Sequence, residues 1–319
     1  MEKIDKQKLG DTGLHVSKMC FGSLTMGPLQ SNLSPQAGGD LIIYGFDKGI
    51  NFIDTAELYE NYAHIREALK VIKREDYVIA TKSYAYSKET AEESLKKAMK
   101  EMGTDVIDIF LLHEQENEHT LRGHEEALHY FIKMKEKGYI KAVGLSTHHI
   151  AAVKAALKMK EIEVLHPIVN INGLGIQDGN IEEMLDALKT AHQMGKGIYA
   201  MKPLGGGNLL KNFKASFDFV LKLPYLHSIA VGMQNINEID INAAIFKGYE
   251  IDEELMSQVK IEDKRLNIAH WCEACGKCLE GCSHQALTIK NNQLQVDHSK
   301  CVLCGYCSKY CPQFCIKVV

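Results

Sequence analysis

The sequence predicts an α/β protein in two parts, a closed barrel of eight strand–helix units followed by a small α+β domain. Between about residues 17 and 250, β-rich runs alternate with helical stretches. The composition changes abruptly at residue 272, and nine of the ten cysteines lie between residues 272 and 315. We therefore expect a barrel over residues 1–250, a connecting helix over 251–271 and the small domain over 272–319.

Eight short β-rich runs are the strand candidates: MCFGS, NFIDTA, YVIATKS, VIDIFLLH, AVGLSTH, VLHPIVNI, GIYAMKP and SIAVGM. Segments such as TAEESLKKAMKEMG and IEEMLDALKTAHQMG separate them, with apolar residues at helical spacing and a glycine near the end. An open doubly wound sheet usually stops at five to seven strands. Eight units therefore favour a (β/α)8 TIM barrel.

The segments that flank the barrel also have patterns that predict secondary structure. KLGDTGLHVSK predicts a β-hairpin around Asp11, Thr12 and Gly13 that closes the N-terminal end of the barrel, and a frayed arm is the alternative. IDEELMSQVKIEDKRLNIAHW has the pattern of one long amphipathic helix. That helix would lead into the cysteine-rich part.

The bulk composition excludes several classes of function. The net charge of −4 has interspersed signs and no basic stripe, which argues against nucleic acid or an anionic membrane as partner. Uninterrupted apolar runs stay short of a membrane span, and the charged opening MEKIDKQKL is unlike an export signal. We expect a cytoplasmic protein, and the sequence does not indicate its oligomeric state.

The cysteines form an internal repeat with an offset of 29 residues. Each copy reads C-x2-C-x2-C-x3-C, starting at Cys272 and at Cys301. Three thiolates at this spacing can bind one iron–sulfur cube while the fourth reaches the neighbouring cube. Zinc would need separated C-x2-C pairs, and a reducing compartment disfavours disulfides. The pattern therefore predicts iron–sulfur clusters.

The two motifs resemble the bacterial two-cluster ferredoxins, a duplicated βαββαβ fold. The resemblance implies two [4Fe-4S] clusters, one held by Cys272, Cys275, Cys278 and Cys311 and the other by Cys301, Cys304, Cys307 and Cys282. The second motif ends in Cys–Pro as the family's does, but the first ends in Cys282–Ser283, so we expect a slightly altered cluster environment. Cys315 and Cys20 are interpreted as small buried apolar residues.

Four ionisable residues lie just past the ends of consecutive strands, where barrel enzymes place their reactive groups. They are Asp54, Tyr59, Lys82 and His113. Singly, each has an ordinary structural explanation. Together they suggest that the Lys82 ammonium, held by Asp54, lowers the pKa of Tyr59, so that this phenol can protonate a carbonyl oxygen that His113 orients.

Over residues 5–248 the sequence resembles the aldo-keto reductase family. The stretches that carry the resemblance are GDTGLHVSKMCFGSLTMG, FIDTAELYENY, IATKS and DIFLLHE. The stretch MKPLGG of this sequence resembles the branch of the family that carries a ferredoxin tail. The resemblance implies a catalytic tetrad of Asp54, Tyr59, Lys82 and His113. It also implies a small carbonyl substrate and a nicotinamide cofactor.

The same resemblance suggests which residues bind the nucleotide, although they match the family less well. Ser146, Thr147 and Asn170 correspond to carboxamide contacts, and Met201 replaces a stacking aromatic residue. Pyrophosphate is expected near the glycines after strand seven and at the next helix start. The full set of nucleotide contacts is Ser146, Thr147, Asn170, Met201, Pro203, Leu204, Gly205, Gly206, Gly232, Met233, Glu238 and Asn242.

Glu238 stands where NADPH-binding relatives grip a phosphate, so NADH is favoured over NADPH. Hydride transfer moves two electrons and a [4Fe-4S] cluster moves one, so direct exchange needs an intermediary such as a flavin, which the sequence does not exclude. The clusters could feed such an intermediary, serve a redox partner protein, or brace the tail. The alternative to a carbonyl reductase is an electron-transfer protein that uses the barrel as a docking platform.

Overall fold

The computed structural model describes residues 4–251, 264–301 and 303–318. Two short strands, β1 (Lys6–Lys8) and β2 (His15–Ser17), pair as an antiparallel hairpin. Eight parallel strands then close into a barrel in the order β10-β3-β4-β5-β6-β7-β8-β9. These strands are β3 (Met19–Gly22), β4 (Phe52–Asp54), β5 (Val78–Ser83), β6 (Ile107–Leu112), β7 (Ile140–Thr147), β8 (Val164–Pro167), β9 (Gly197–Met201) and β10 (Ser228–Gly232).

Every predicted barrel strand is therefore confirmed, and helices surround the barrel. They are α1 (Pro35–Asp47), α2 (Tyr62–Leu69), α3 (Lys88–Met102), α4 (Glu118–Gly123), α5 (Glu125–Glu136), α6 (Ile150–Leu157), α7 (Ile181–Gln193), α8 (Phe213–Leu221) and α9 (Ile236–Phe246). The Ser87 side chain caps the start of α3, and Gly103 ends the helix with a φ of 71°. In the described part of the chain, no helix is both long and apolar enough to span a bilayer.

The N-terminal hairpin closes the barrel at the N-terminal ends of its strands, as the sequence predicted. The Asp11 amide donates to the Gly195 carbonyl at 2.8 Å, just before β9. Leu9, Leu14 and Val16 are buried in one cluster with inward-facing residues of the barrel strands. An exposed, frayed arm would bury none of these side chains, so the hairpin belongs to the core.

The C-terminal unit is the duplicated βαββαβ arrangement that the ferredoxin resemblance implied. Its elements are β11 (Leu266–Ile268), α10 (Lys277–Glu280), β12 (Leu287–Lys290), β13 (Gln293–Val296), α11 (Tyr306–Lys309) and β14 (Ile316–Val318). Strand β11 pairs with β14, and β12 pairs with β13. The repeat extends to the backbone, since Gly276 and Gly305, 29 residues apart, have φ of 81° and 76°.

The predicted connecting helix over residues 251–271 is wrong where it can be checked. Residues 252–263 lie outside the described residues. Leu266–Ile268 forms strand β11, which belongs to the C-terminal unit because it pairs with β14. A segment this short can satisfy a helical pattern by chance, and pairing with a distant strand decided its conformation.

The C-terminal unit packs on the barrel rim at the C-terminal ends of the strands. Strand β14 lies against the turn Gly205–Gly207, which follows β9. A Cβ atom on Gly207, whose φ is 87°, would come within 2.2 Å of the Val318 carbonyl oxygen. The Phe314 ring is 1% exposed and joins the main barrel core. The two units therefore share a packed interface.

Candidate active site and iron–sulfur centre

The four predicted catalytic residues come from three neighbouring strands of the barrel. Asp54 ends β4, Lys82 is the fifth residue of β5, and His113 directly follows β6. Tyr59 ends a short 3-10 turn, Glu57–Tyr59, just after β4. Since parallel strands end at one rim, the fold brings all four to the same side of the barrel.

Asp54 and Lys82 form a buried ion pair. The Lys82 Nζ donates to both Asp54 carboxylate oxygens, at 2.8 and 2.7 Å, and to the Thr55 carbonyl at 2.8 Å. Lys82 is 1% exposed and Asp54 is 4% exposed. Burial alone would raise the pKa of Asp54, but the nearby positive charge of Lys82 and the donated hydrogen bonds hold that pKa below its ordinary value.

Two further residues, which the sequence analysis missed, support the Asp54 carboxylate. The Tyr199 hydroxyl donates to Asp54 Oδ1 at 2.8 Å. The His166 ring stacks on Tyr199 with centroids 3.9 Å apart, and its Nε2 lies 3.6 Å from the same oxygen. The signal for both was a polar aromatic residue at an inward-facing position of β8 or β9, which is unusual inside a barrel.

Tyr59 lies beside the ion pair but is not hydrogen-bonded by Lys82. The Lys82 ammonium is 4.9 Å from the centre of the Tyr59 ring, so it acts on the phenol through its charge. The expected lowering of the Tyr59 pKa is wrong for this structure. Burial, followed by the negative charge of Asp54, raises that pKa well above its ordinary value. The phenol therefore carries its proton at neutral pH.

His113 faces Tyr59 across the same space, with ring centroids 6.0 Å apart. The ring is stacked on Tyr84 at 4.5 Å, which fixes its orientation. Its Nδ1 atom is buried and has no hydrogen-bond partner. Burial, and then the positive charge of Lys82, lowers the pKa of His113 to about 3, so the imidazole is neutral. A neutral, oriented imidazole can hydrogen-bond a substrate oxygen.

A cavity of about 220 Å³ opens beside Asp54 and Tyr59, whereas Lys82 and His113 do not line it. Asp54, Tyr59 and His166 line it on the barrel side. Seven of the predicted nucleotide contacts also line it, namely Met201, Pro203, Leu204, Gly206, Gly232, Glu238 and Asn242. The lining is mostly apolar, which suits a planar nicotinamide ring beside a small substrate.

The remaining predicted nucleotide contacts do not border this cavity. Ser146 accepts a hydrogen bond from the Glu114 amide, and Thr147 donates to the Gln115 carbonyl. The Asn170 amide bonds the backbone of Leu174 with both its oxygen and its nitrogen. These side chains already hold loops together. Gly205 and Met233 are buried.

Glu238 is not the unscreened charge that the NADH argument assumed. Its carboxylate accepts from the Lys264 ammonium at 3.1 Å, and both side chains are 16% exposed. Its other oxygen accepts from the Gln234 amide at the start of α9. Lys264, which the sequence analysis missed because it lies far along the chain, offsets the repulsion of a phosphate.

The eight ligand candidates gather as two sets. Burial, and then the charges of Cys311, Cys272 and Cys275, raises the pKa of Cys278 to about 11. Burial, and then the charges of the nearby cysteines, raises the pKa of Cys307 to about 12; these cysteines are Cys282, Cys304, Cys278 and Cys301. Each buried cysteine thus lies near members of its predicted set, including the one from the other motif, and Cys278 of the first set also lies near Cys307.

A small cavity of about 20 Å³ has all four cysteines of the second set among its lining residues: Cys282, Cys301, Cys304 and Cys307. The Cys282 sulfur accepts from the Ala286 amide at 3.2 Å, and the Cys311 sulfur accepts from the Cys315 amide at 3.1 Å. Amide donors to the sulfurs are typical of iron–sulfur ligands. The donor set and its amides therefore fit [4Fe-4S] clusters, in which each thiolate binds its own iron.

Within the described residues, no group of three or more His, Cys, Asp or Glu side chains could hold a single metal ion. Cys315 and Cys20 are both buried, as expected of small apolar residues. Cys315 nevertheless lies close to Cys311 and Cys272, and burial followed by their charges raises its pKa to about 12. It therefore packs against the first ligand set.

Comparison with known proteins agrees with this geometry. The 4Fe-4S binding domain model matches residues 294–317, the second cysteine motif. L-galactose dehydrogenase of Arabidopsis thaliana is 24% identical over 307 residues, covering 82% of this chain and 94% of that protein. The soybean (Glycine max) protein named "Probable aldo-keto reductase 1" is 29% identical over 221 residues, and the match spans 64% of this chain and 61% of that protein.

Solved structures show the same barrel. PA4992 of Pseudomonas aeruginosa, assigned to the aldo-keto reductases, is 26% identical with a TM-score of 0.65, covering 76% of this chain and 94% of that one. An aldo-keto reductase of Bacillus halodurans shares the fold at 21% identity and a TM-score of 0.65, over 80% of this chain and 94% of that one. The Aldo/keto reductase family model matches residues 18–220, well over half of the chain and all four rim residues. This chain belongs to the aldo/keto reductase family of oxidoreductases and carries a C-terminal 4Fe-4S binding domain.

Proposed function

We propose that this protein reduces an aldehyde or ketone to the alcohol, with NADH or NADPH as the hydride donor and Tyr59 as the general acid. The observation that carries the proposal is a protonated phenol beside a buried ammonium–carboxylate pair. The Lys82 charge, 4.9 Å from the Tyr59 ring, stabilises the phenolate only once the proton has left. That is the behaviour expected of an acid that is used in the transition state.

The other rim residues prepare this proton transfer. Asp54 keeps the buried Lys82 charged and fixed, and Tyr199 holds the carboxylate in place. The neutral His113 offers a ring nitrogen to the carbonyl oxygen and orients it toward Tyr59. In a cavity with apolar walls, each of these electrostatic contacts acts more strongly than it would in water.

A bound nicotinamide would supply the hydride, and the cavity offers a place for it. Met201 and Pro203 would lie against the ring, and the wall near Gly232 and Asn242 would hold the nucleotide. Because Lys264 neutralises Glu238, we propose that NADH and NADPH are discriminated less strongly than the sequence alone suggested. The polar atoms of Asn170 are engaged in the fold, and we assign it a supporting role.

We further propose that the tail holds two [4Fe-4S] clusters with the ligand sets given above. Their position supports a structural part in the active site, because β14 packs on the rim and two of its residues line the catalytic cavity. The second candidate is electron transfer to a redox partner protein, and the same closeness of tail and cavity favours it. Iron and sulfide analysis should give about eight of each per chain.

The deciding experiment is Tyr59→Phe in anaerobically purified protein. We expect turnover of a test aldehyde to fall by about 10²-fold or more, with an unchanged cluster absorbance spectrum. Tyr62→Phe is the matched control, since it removes a buried hydroxyl bonded to Thr81 on the same side of the barrel. Retained turnover in Tyr59→Phe would refute the acid role. Activity that survives this change but stops on cluster loss would establish the electron-transfer candidate.

A further inference from the structure

The catalytic cavity has one wall that the barrel does not supply. Lys317 and Val318, on strand β14 of the tail, line it together with Lys202 from the loop after β9. Strand β14 reaches this position because Gly206 and Gly207 leave room for it. A Cβ on Gly206 would lie 3.1 Å from Lys317 Cδ. The tail thus places a cation in the cavity of a different domain.

The two lysines gather around one buried ring. The Lys317 ammonium is 4.3 Å and the Lys202 ammonium 5.0 Å from the centre of the Phe314 ring. Lys202 holds its position with a φ of 58°, which is strained for a residue with a side chain, and its Nζ lies 2.7 Å from His148 Nε2. Such strain persists where the surroundings enforce it, and β14 packs against this loop.

Neither lysine has a direct ion-pair partner among the described residues, although the charge of Glu114 acts on both. Within the described residues, no carboxylate lies within 4 Å of either ammonium. Glu114 is the acidic group whose charge acts on both lysines, and its carboxylate accepts from the Tyr84 hydroxyl instead. Cations that face a cavity without a paired anion are a binding feature, because an incoming anion supplies what the fold omits.

The ionisation of the pair agrees with an anion site. Burial lowers the pKa of Lys317 to about 8, which leaves the ammonium charged at neutral pH. Burial, and then repulsion by Lys317, lowers the pKa of Lys202. A bound anion would favour the charged form of Lys202 and so offset its burial and that repulsion. Lys202 and Lys317 line the same cavity as Asp54 and Tyr59, so the site is close to the reacting atoms.

We propose that Lys202 and Lys317 bind the carboxylate of the substrate, so that the protein acts on carbonyl compounds that carry a carboxylate group. This inference rests on the proposed carbonyl reduction at Tyr59 and assigns its substrate class. It also gives the clusters a role without electron flow. Because the metal–thiolate bonds form the core of so small a unit, losing the clusters displaces Lys317 and opens the anion site.

The kinetic test compares para-carboxybenzaldehyde with benzaldehyde in the holoprotein. Lys317→Met, which keeps the apolar stem, should raise the KM for the carboxylated aldehyde about 10- to 100-fold and leave that for benzaldehyde unchanged. Lys317→Arg should restore most of the difference. Lys290→Met is the control, since it removes an exposed lysine of the same unit. Equal KM values for Lys317→Met and the unchanged protein would overturn the proposal.

The nucleotide is the other anion that could use these lysines, so its affinity is measured separately. The Kd of NADH and of NADPH, titrated without substrate, should be the same in Lys317→Met as in the unchanged protein. If both nucleotides bind about tenfold more weakly and both aldehydes are equally affected, the lysines bind pyrophosphate, and the proposed substrate class is wrong.

A binding experiment separates this inference from the proposed function. Equilibrium dialysis with benzoate and with neutral benzamide needs no turnover. The unchanged protein should prefer benzoate, and Lys317→Met should lose about tenfold in benzoate affinity alone. Failure to reduce any aldehyde with this preference intact would refute the reductase and leave the anion site standing. No preference for benzoate would refute the anion site, whatever the activity.

Discussion

Asp54→Asn is the substitution that best tests the electrostatic design of the rim, because it removes a charge and hardly changes shape. Lys82 is 1% exposed and donates two of its hydrogen bonds to Asp54. Breaking a buried ion pair from one side costs about 3–5 kcal/mol, since it leaves a buried charge uncompensated. At about 2–4 °C per kcal/mol for a domain of this size, the melting temperature should fall by about 6–20 °C.

Differential scanning calorimetry of the anaerobic holoprotein measures this shift. The double variant Asp54→Asn with Lys82→Met is the informative comparison, since it removes both charges. It should recover much of the lost stability and remain inactive. The reasoning is refuted if the single variant melts within about 2 °C of the unchanged protein, or if the double variant is less stable than the single.

The pH dependence gives an independent reading of the same pair. The pKa of Asp54 is below its ordinary value of 3.8 in the folded protein. Its contribution to stability is therefore complete above about pH 4 and is lost as the pH falls through the folded-state pKa. The difference in melting temperature between Asp54→Asn and the unchanged protein should be constant from pH 5 to pH 8 and shrink below pH 4.

Three further outcomes are expected. Gly207→Ala should loosen the tail, because the new Cβ would lie 2.2 Å from the Val318 carbonyl oxygen. Gly138→Ala is the control, since Gly138 has a similar φ of 84° but open space around it. The measurement is the rate of tail proteolysis, and equal rates in the two variants would contradict the contact. Glu238→Gln should free Lys264 from its ion pair, and the ratio of NADPH affinity to NADH affinity, measured by titration, should rise about three- to tenfold. An unchanged ratio would mean that the ribose phosphate binds elsewhere. Iron chelation should melt the tail at a temperature where the barrel circular dichroism persists, and should weaken turnover of a carboxylated aldehyde more than turnover of benzaldehyde.

The barrel and the meeting of the four rim residues could be predicted from the sequence because both follow from local patterns repeated in order. Each strand is a short β-rich run, and parallel strands bring their ends to one rim whatever the loops do. Asp54, Lys82 and His113 therefore met by topology alone. The cysteine repeat was equally explicit, and its 29-residue offset reappears in the φ angles of Gly276 and Gly305.

What the sequence did not show depends on contacts between distant segments. The partner of Glu238 lies at Lys264, and the partners of Asp54 include Tyr199, which is 145 positions away. The predicted direction of the Tyr59 pKa shift was wrong because burial, and then the charge of Asp54, raises that pKa, and burial is set by the whole fold. The strand Leu266–Ile268 depended in the same way on its pairing with β14.

The glycines after β9 connect these points. As a motif, Gly205–Gly207 suggested close approach to a pyrophosphate, yet Gly207 leaves the space that the Val318 backbone occupies. The residues that permit this approach also bring Lys317 into the catalytic cavity. Because residues of the iron–sulfur unit form one wall of the cavity, the shape of the cavity depends on how that unit folds. The mismatch between hydride and single-electron chemistry therefore does not by itself make the tail redundant, since strand β14 of the tail lines the cavity and, in the proposed anion site, selects the substrate.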